Sequence, residues 1–249
     1  MPETLIDLPY DLAAITRDLV TEDDVPVDNL FSAKQRRLLV EPLYSSWHPP
    51  AVEGSTEPRI FLADSDVGIF SSPRQPPIAP DMFLSLDVEP NPEYLGNEHR
   101  AYFVWEFDKV PEIAVEVVSN RKGKEMDAKM QRYAHLGIAY YVVFDPYRHL
   151  KSDVLQVHEL TMGGRRYHRR QDFQLPEVAL SLQLWRGEFE GTESEWLRWC
   201  DADGNLIPTG AERAHVEAQR ADAEAAARQR AEAEVAQLRA ELQRLQGSK

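Results

Sequence analysis

The stretch from Ile113 to Phe144 constrains this chain more than any other. Ile113–Val118 is a nearly continuous apolar run with one acid inside it, Glu116. Residues 124–136 follow a helical pattern, with Met126, Met130 and Tyr133 at i, i+4 and i+7. Ala139–Phe144 is a second apolar run, closed by Asp145 and Pro146. Strand, about a dozen helical residues, strand is a βαβ unit, which implies parallel pairing and a right-handed crossover. Parallel strands are covered on both faces, so Ile113–Val118 is expected to be buried on both sides. Alternation then places Ala114, Glu116 and Val118 on one face and Ile113, Val115 and Val117 on the other.

Burying a bare carboxylate costs several kcal/mol unless it is paired or ligates a metal. Glu116 therefore needs a cation. The sequence offers a bound metal ion or a lysine of the following helix; an arginine at the sheet edge, with no chemical role, would serve equally. At about 100° per residue, Lys129 lies about 60° to one side of Met126, at the border of the buried helix face. From there a lysine can reach back under the sheet or snorkel to solvent. Asp81 follows Pro80 and opens the strand-like run MFLSLDV, sharing a face with Phe83, Ser85 and Asp87. Taken singly, a Pro-Asp pair at a strand start is a turn signal.

The surrounding chain reads as α/β or α+β with a mixed sheet. SAKQRRLLVEPL (32–43) suggests a helix beginning at an N-cap Ser32 and ending near Pro42. Ile60–Ala63, Val67–Phe70, Met82–Val88 and Tyr102–Phe107 read as short strands. Val154–Leu160 and Leu180–Trp185 read as antiparallel additions. Residues 1–30 show no clear periodicity. Near residue 210 the composition changes: residues 211–249 hold twelve alanines, seven acids and seven basic residues, with no proline and one glycine, Gly247. This mixture favours one long helix. Val235, Leu238, Leu242 and Leu245 fall at 3-4-3 spacing, the seam of a short coiled coil. The expected organisation is a domain over 1–210 and a C-terminal helix over 211–249.

In chain order, Pro80-Asp81, Glu116-Val117-Val118-Ser119, Lys129 with Tyr133, and Tyr140–Asp145 form a constellation that resembles the PD-(D/E)xK nuclease superfamily. More closely it resembles the putative restriction endonuclease family of that superfamily, present in many copies in some bacterial genomes. The matching text is PPIAPDMFLSLDV, PEIAVEVVSNRKGKEMDAKMQRYAHLGIAYYVVFDP and WLRWCDADGNLIPTGAE. The resemblance runs from about Val25 to the C-terminal helix, and residues 111–146 are its specific part. It implies a restriction-endonuclease-like core, a four-stranded sheet with flanking helices, and a metal-dependent phosphodiesterase site. Asp81 and Glu116 match the acidic pair that binds a divalent cation, with the Val117 carbonyl as a further ligand. Mg²⁺ or Mn²⁺ suits such hard oxygen donors. The lysine that the simplest pattern places two residues after the glutamate is Val118 here. Lys129 matches the helix lysine that members of the family carry instead, while Lys122 and Lys124 lie close enough in sequence to substitute. Glu41 and Asp66 are lesser acidic candidates.

Other signals narrow the reading. Of 249 residues, 42 are acidic and 28 are Lys or Arg, a formal net charge of −14 that lies wholly in residues 1–210. Such a balance repels phosphate at long range but leaves room for a local basic groove. Arg165, Arg166, Arg169 and Arg170, with Tyr167 and His168, form the one dense basic cluster of the acidic body. It fits either a grip on phosphate backbone or a strand with outward charges. DADGN (201–205) begins like a calcium loop, but Leu206 replaces the required glycine, and a turn is expected. Seven histidines show no zinc-ligand spacing. The longest apolar run, Ile138–Phe144, is far short of a membrane span, and the single Cys200 cannot form an intrachain disulfide. A soluble cytoplasmic homodimer acting on nucleic acid, with DNA the expected form, is the reading. Its rival is an inactive nuclease-fold module that binds partners through the C-terminal helix.

Burying each Leu or Val of the stripe is worth roughly 1.5–3 kcal/mol at most. Two heptads therefore support dimerisation without sufficing for it. Light scattering should find the full chain dimeric at tens of micromolar and a chain truncated at residue 210 weaker in association. A monomeric full chain would remove the functional reading of the stripe.

Overall fold

The structure is a computed structural model describing residues 29–52, 54, 59–89, 100–119, 123–161, 163 and 165–246. Lys122 and the first 28 residues lie outside the described residues, as do the side chains of Lys124, Met126, Leu242 and Leu245. The described residues fall into two compact units divided after Ile207.

In the first unit, helix α1 (Leu30–Ser46) precedes β1 (Phe61–Asp64), β2 (Ile69–Phe70), β3 (Met82–Leu86) and β4 (Tyr102–Phe103). A single helical turn, α2 (Val104–Phe107), leads to β5 (Ile113–Val117), α3 (Gly123–Leu136) and β6 (Tyr140–Phe144). Then come β7 (Leu155–Leu160), β8 (Tyr167–Arg169), β9 (Gln174–Leu175), β10 (Leu180–Phe189) and β11 (Thr192–Cys200). Six strands form the central sheet in the order β1-β3-β5-β6-β7-β8. Only β5 and β6 pair in parallel within it, with Glu116 opposite Val143. This is the βαβ unit expected from the two apolar runs, and all ten residues of its two strands are buried. The sheet is mixed and flanked by helices, as expected, but has six strands rather than four.

Alternation divides the core as the sequence pattern requires. Ile113, Val115 and Val117 join one apolar cluster with Leu39, Leu43 and Trp199. Ala114 and Val118 join another with Phe83, Tyr133, Tyr141 and Val143. Glu116 shares this second face.

Several expected boundaries move. Helix α1 is capped by Asn29, whose side chain accepts from Ser32 N at 2.8 Å, so Ser32 lies inside the helix. Pro42 is also inside, and the helix continues to Ser46. An interior proline costs about 3 kcal/mol. Here Leu38, Leu39 and Leu43 are fully buried around it, and their burial outweighs that cost. Tyr102–Phe107 is a two-residue strand followed by a helical turn, and β4 pairs in parallel with β2 outside the central sheet. Leu180–Trp185 belongs to a longer strand, β10, which pairs antiparallel with β11 and β9 in a separate three-stranded sheet. The DADGN segment is a turn: Asp201 accepts from the amides of Asp203 and Asn205, and Gly204 has φ +84°.

Helix α1 lies against the hairpin sheet through a side chain that imitates a strand. Gln35 Nε2 donates to Leu197 O at 2.8 Å, and Leu197 N donates to Gln35 Oε1 at 3.0 Å. Trp199 Nε1 donates to Leu39 O at 2.8 Å.

The second unit is dominated by α4 (Gly210–Gln246). Thr209 and Glu212 form a reciprocal capping box: Glu212 N donates to Thr209 Oγ1 at 3.1 Å, and Thr209 N donates to Glu212 Oε2 at 2.8 Å. Glu212, the twelfth position of the calcium-like spacing, is thus a helix cap. Val235 and Leu238 are exposed. No helix among the described residues is long and apolar enough to cross a membrane.

Gln35→Ala would leave a buried amide and a buried carbonyl without partners, each costing about 1–3 kcal/mol. Chemical denaturation should show Gln35→Ala destabilised by at least 2 kcal/mol. A loss below 0.5 kcal/mol would mean that water replaces the side chain there.

Candidate active site

Asp81 stands one residue before β3, at the point where β3 and β5 stop pairing. The backbone register ends at Met82 opposite Val115. Beyond it the Asp81 side chain takes the place of a backbone acceptor, and Val117 N donates to Asp81 Oδ2 at 2.7 Å. In a paired strand a residue's amide and carbonyl face the same edge. The Val117 carbonyl therefore lies on the Asp81 side of β5.

Glu116 is 3% exposed, and each carboxylate oxygen has a partner. Lys129 Nζ donates to Oε2 at 2.8 Å, and the Tyr133 hydroxyl donates to Oε1 at 2.6 Å. Both donors come from α3, the crossover helix, four residues apart and so on one helix face. Lys129 thus reaches back under the sheet rather than snorkelling. Burial pushes the Glu116 carboxyl up to about 7; Lys129 opposes this and nearby Asp81 reinforces it. Tyr133 is pushed well above the ordinary phenol value, by burial first and then by Glu116, and stays a neutral donor.

Arg36 completes the site without belonging to the motif that links Asp81, Glu116 and Lys129. This residue of α1 is 6% exposed, and its Nη1 contacts both Asp81 Oδ1 and Asp66 Oδ1 at 2.8 Å. Nη2 is buried with no hydrogen-bond partner among the described residues. A usable signal was present: Arg36, Leu39 and Leu43 are spaced i, i+3, i+7, which puts a guanidinium in phase with buried leucines. Asp66 enters the site's surroundings through Arg36, whereas Glu41 is exposed on α1.

The basic cluster divides. Arg169 pairs with Asp153, and Arg170 pairs with Glu159 and, at 2.8 Å, with Asp172. The Tyr167 hydroxyl donates to Ile138 O at 2.8 Å. Arg165 is exposed and lines a cleft against α3, and Arg166 is exposed beside it.

The donor chemistry here fits a hard divalent cation. The Asp81 carboxylate on the Val117 amide, the neighbouring Glu116 carboxylate and the Val117 carbonyl are all hard oxygen donors near the end of β5. No group of three His, Cys, Asp or Glu side chains among the described residues is placed to hold a metal. Mg²⁺ is commonly held by only one or two carboxylates together with substrate phosphate and water. The raised Glu116 carboxyl is a further fit, since a cation beside it would restore the ionised form.

A family model described as Uma2, putative restriction endonuclease, matches residues 31–194. This span holds Arg36, Asp81, Glu116, Lys129 and Tyr133. No curated protein and no solved structure matches the chain significantly.

The raised Glu116 carboxyl makes a pH prediction. Below the ordinary glutamate value of 4.5 the group is protonated both folded and unfolded. As pH rises toward about 7 the unfolded chain ionises first, so the native state loses stability, by up to about 3 kcal/mol. Without added metal, wild-type stability should fall between pH 4.5 and 8 relative to Glu116→Gln, which cannot titrate. Parallel curves would show that the carboxylate is ionised throughout.

Proposed function

The chain belongs to the putative restriction endonuclease family, and on that premise we propose that it is a metal-dependent nuclease hydrolysing phosphodiester bonds, with DNA as the substrate. One observation carries the reading: near the end of β5, Asp81 binds the amide of Val117 and the preceding residue, Glu116, takes an ammonium from the crossover helix. Asp81, Glu116 and the Val117 carbonyl would hold Mg²⁺ or Mn²⁺. Such a cation supplies polarisation of the phosphoryl oxygens and a lowered pKa for attacking water.

The chain's own residues do the rest. Arg36 and the Val117 amide fix the orientation of the Asp81 carboxylate, one on each oxygen. Tyr133 fixes one oxygen of Glu116. Lys129, partly exposed beside a buried carboxylate, can turn its ammonium protons toward a phosphate or a water at the site. Charge developing on the phosphoryl oxygens is then stabilised by a donor that needs little reorganisation. Arg36 and Lys129 also neutralise their partners without metal, and this favours a second reading, an inactive nuclease-fold module associating through α4. The two differ in whether a divalent cation binds.

Asp81→Asn and Glu116→Gln each remove one formal charge with little change of shape. Both should abolish Mg²⁺- or Mn²⁺-dependent cleavage of DNA and the rise in melting temperature that Mn²⁺ gives the wild type. Wild-type activity in Glu116→Gln would overturn the site, and no shift with Mn²⁺ would favour the inactive module. Lys129→Ala should lower kcat by 10²–10³-fold while keeping the Mn²⁺ shift. If Lys122→Ala or Lys124→Ala is the inactive variant instead, the role belongs to that lysine.

A further inference from the structure

A cleft of about 770 Å³ opens along α3 beside the Glu116 site, with the Ser71–Ile78 segment as its opposite wall. This is a volume typical of ligand sites, roughly 300–1,000 Å³. Its deeper part is apolar: Ile69 and Ile78 are buried, and Val104, Val110 and Leu136 line it above them. The two isoleucines exchange backbone hydrogen bonds at 2.8 and 3.1 Å, so the floor is fixed. The exposed rim carries Arg132, His135 and Arg165. No acid occurs among the described residues that line the cleft. In a chain with 42 acids and a net charge of −14, that is a marked local reversal.

The cleft is braced across its walls and is built from the same helix, and the same chain segment, that carry the site. Arg132 Nη2 donates to the carbonyls of Pro76 and Pro77, both at 2.9 Å, tying the proline-rich wall to α3. That wall runs three residues on into Asp81. Helix α3 turns Arg132 and His135 to the cleft and Lys129 and Tyr133 to Glu116.

We infer that this cleft binds an unpaired nucleic-acid strand next to the scissile phosphate, with a base against the apolar lining of Val104, Val110 and Leu136 over the Ile69–Ile78 floor and backbone phosphates on Arg132 and Arg165. The inference rests on the nuclease reading for the nature of the substrate. Phosphate contacts by Arg and Lys supply affinity, and apolar side chains can pack against the face of an unstacked base. A duplex stacks its base faces against one another and cannot fill such a floor without unstacking. The site therefore selects single strands, junctions or frayed ends over continuous duplex.

Fluorescence anisotropy of the full chain in EDTA, which halts metal-dependent cleavage, tests this with a labelled twelve-residue oligothymidylate and a labelled hairpin duplex. The single strand should bind more tightly than the duplex. Arg165→Gln should weaken single-strand binding several-fold and reduce the slope of log affinity against log salt by about 0.7. Arg132→Gln/Arg165→Gln should reduce the slope by about twice that. Arg165 makes no ion pair among the described residues, so its single variant keeps the test valid if loss of Arg132 disturbs the wall. Arg186→Gln, on the hairpin sheet, is the charge-matched comparison and should match wild type. Equal affinity for strand and duplex, wild-type affinity and slope in both cleft variants, or no binding of the single strand would each overturn the inference. Mn²⁺-dependent cleavage alongside any of these results leaves the nuclease reading standing. Arg165-dependent strand binding without cleavage upholds the inference and removes the nuclease.

Discussion

A carboxylate inside a strand buried on both faces is the constraint on which the rest of the site depends. Glu116 cannot reach water, so its partners must come from whatever covers that face of the sheet. The cover is α3, which the parallel pairing of β5 and β6 requires in any case. One topological necessity thus supplies both the roof of the core and the cation for the acid. Lys129 and Tyr133, one helical turn apart, reach the two oxygens of one carboxylate. Tyr133 also belongs to the apolar cluster on that face, which locks its ring while its hydroxyl orients Glu116.

Asp81 is held by a different device. Just before β3 begins, its side chain caps the free amide of Val117 and so replaces a ladder hydrogen bond with a carboxylate. The other oxygen is tied to Arg36, and Arg36 is placed by α1. Helix α1 is itself fixed to β11 by Gln35 and by the indole of Trp199. The hairpin sheet, far along the chain from Asp81, thereby contributes to where that carboxylate sits. This gives the three-stranded sheet and the buried, proline-containing helix a part in positioning the site as well as in stability.

The charge distribution follows the same division. Around the site, Asp66, Asp81 and Glu116 face Arg36 and Lys129, leaving one negative charge in excess. Burial raises the Glu116 carboxyl first, and the neighbouring Asp81 charge adds to this against the pull of Lys129. Beside it lies a cleft whose described lining has cations and no acids. A strongly acidic chain can therefore present phosphate with a favourable surface, because fields within a Debye length of about 8–10 Å are set by neighbours rather than by net charge. The ion pairs of Arg169 and Arg170 illustrate the converse: two of the four arginines in a dense basic run are taken up by Asp153, Glu159 and Asp172.

The sequence by itself determined the βαβ unit, the face on which Glu116 lies and the need for a cation near it. Each follows from local periodicity, and a two-residue or 3.6-residue repeat survives whatever the rest of the chain does. The family resemblance lay in the same segment. The position of Lys129 at the border of the buried face was legible for the same reason, though which of its two options it takes was not. Only the tertiary structure decided that Asp81 binds an amide 36 residues away, that Arg36 joins it and that Leu180–Cys200 builds a separate sheet. It also decided that α1 runs through Pro42 and that Arg165 parts from Arg169 and Arg170. These outcomes depend on contacts between residues distant in sequence. There the free energy of burial and pairing exceeds the local preferences that a pattern of neighbouring residues records.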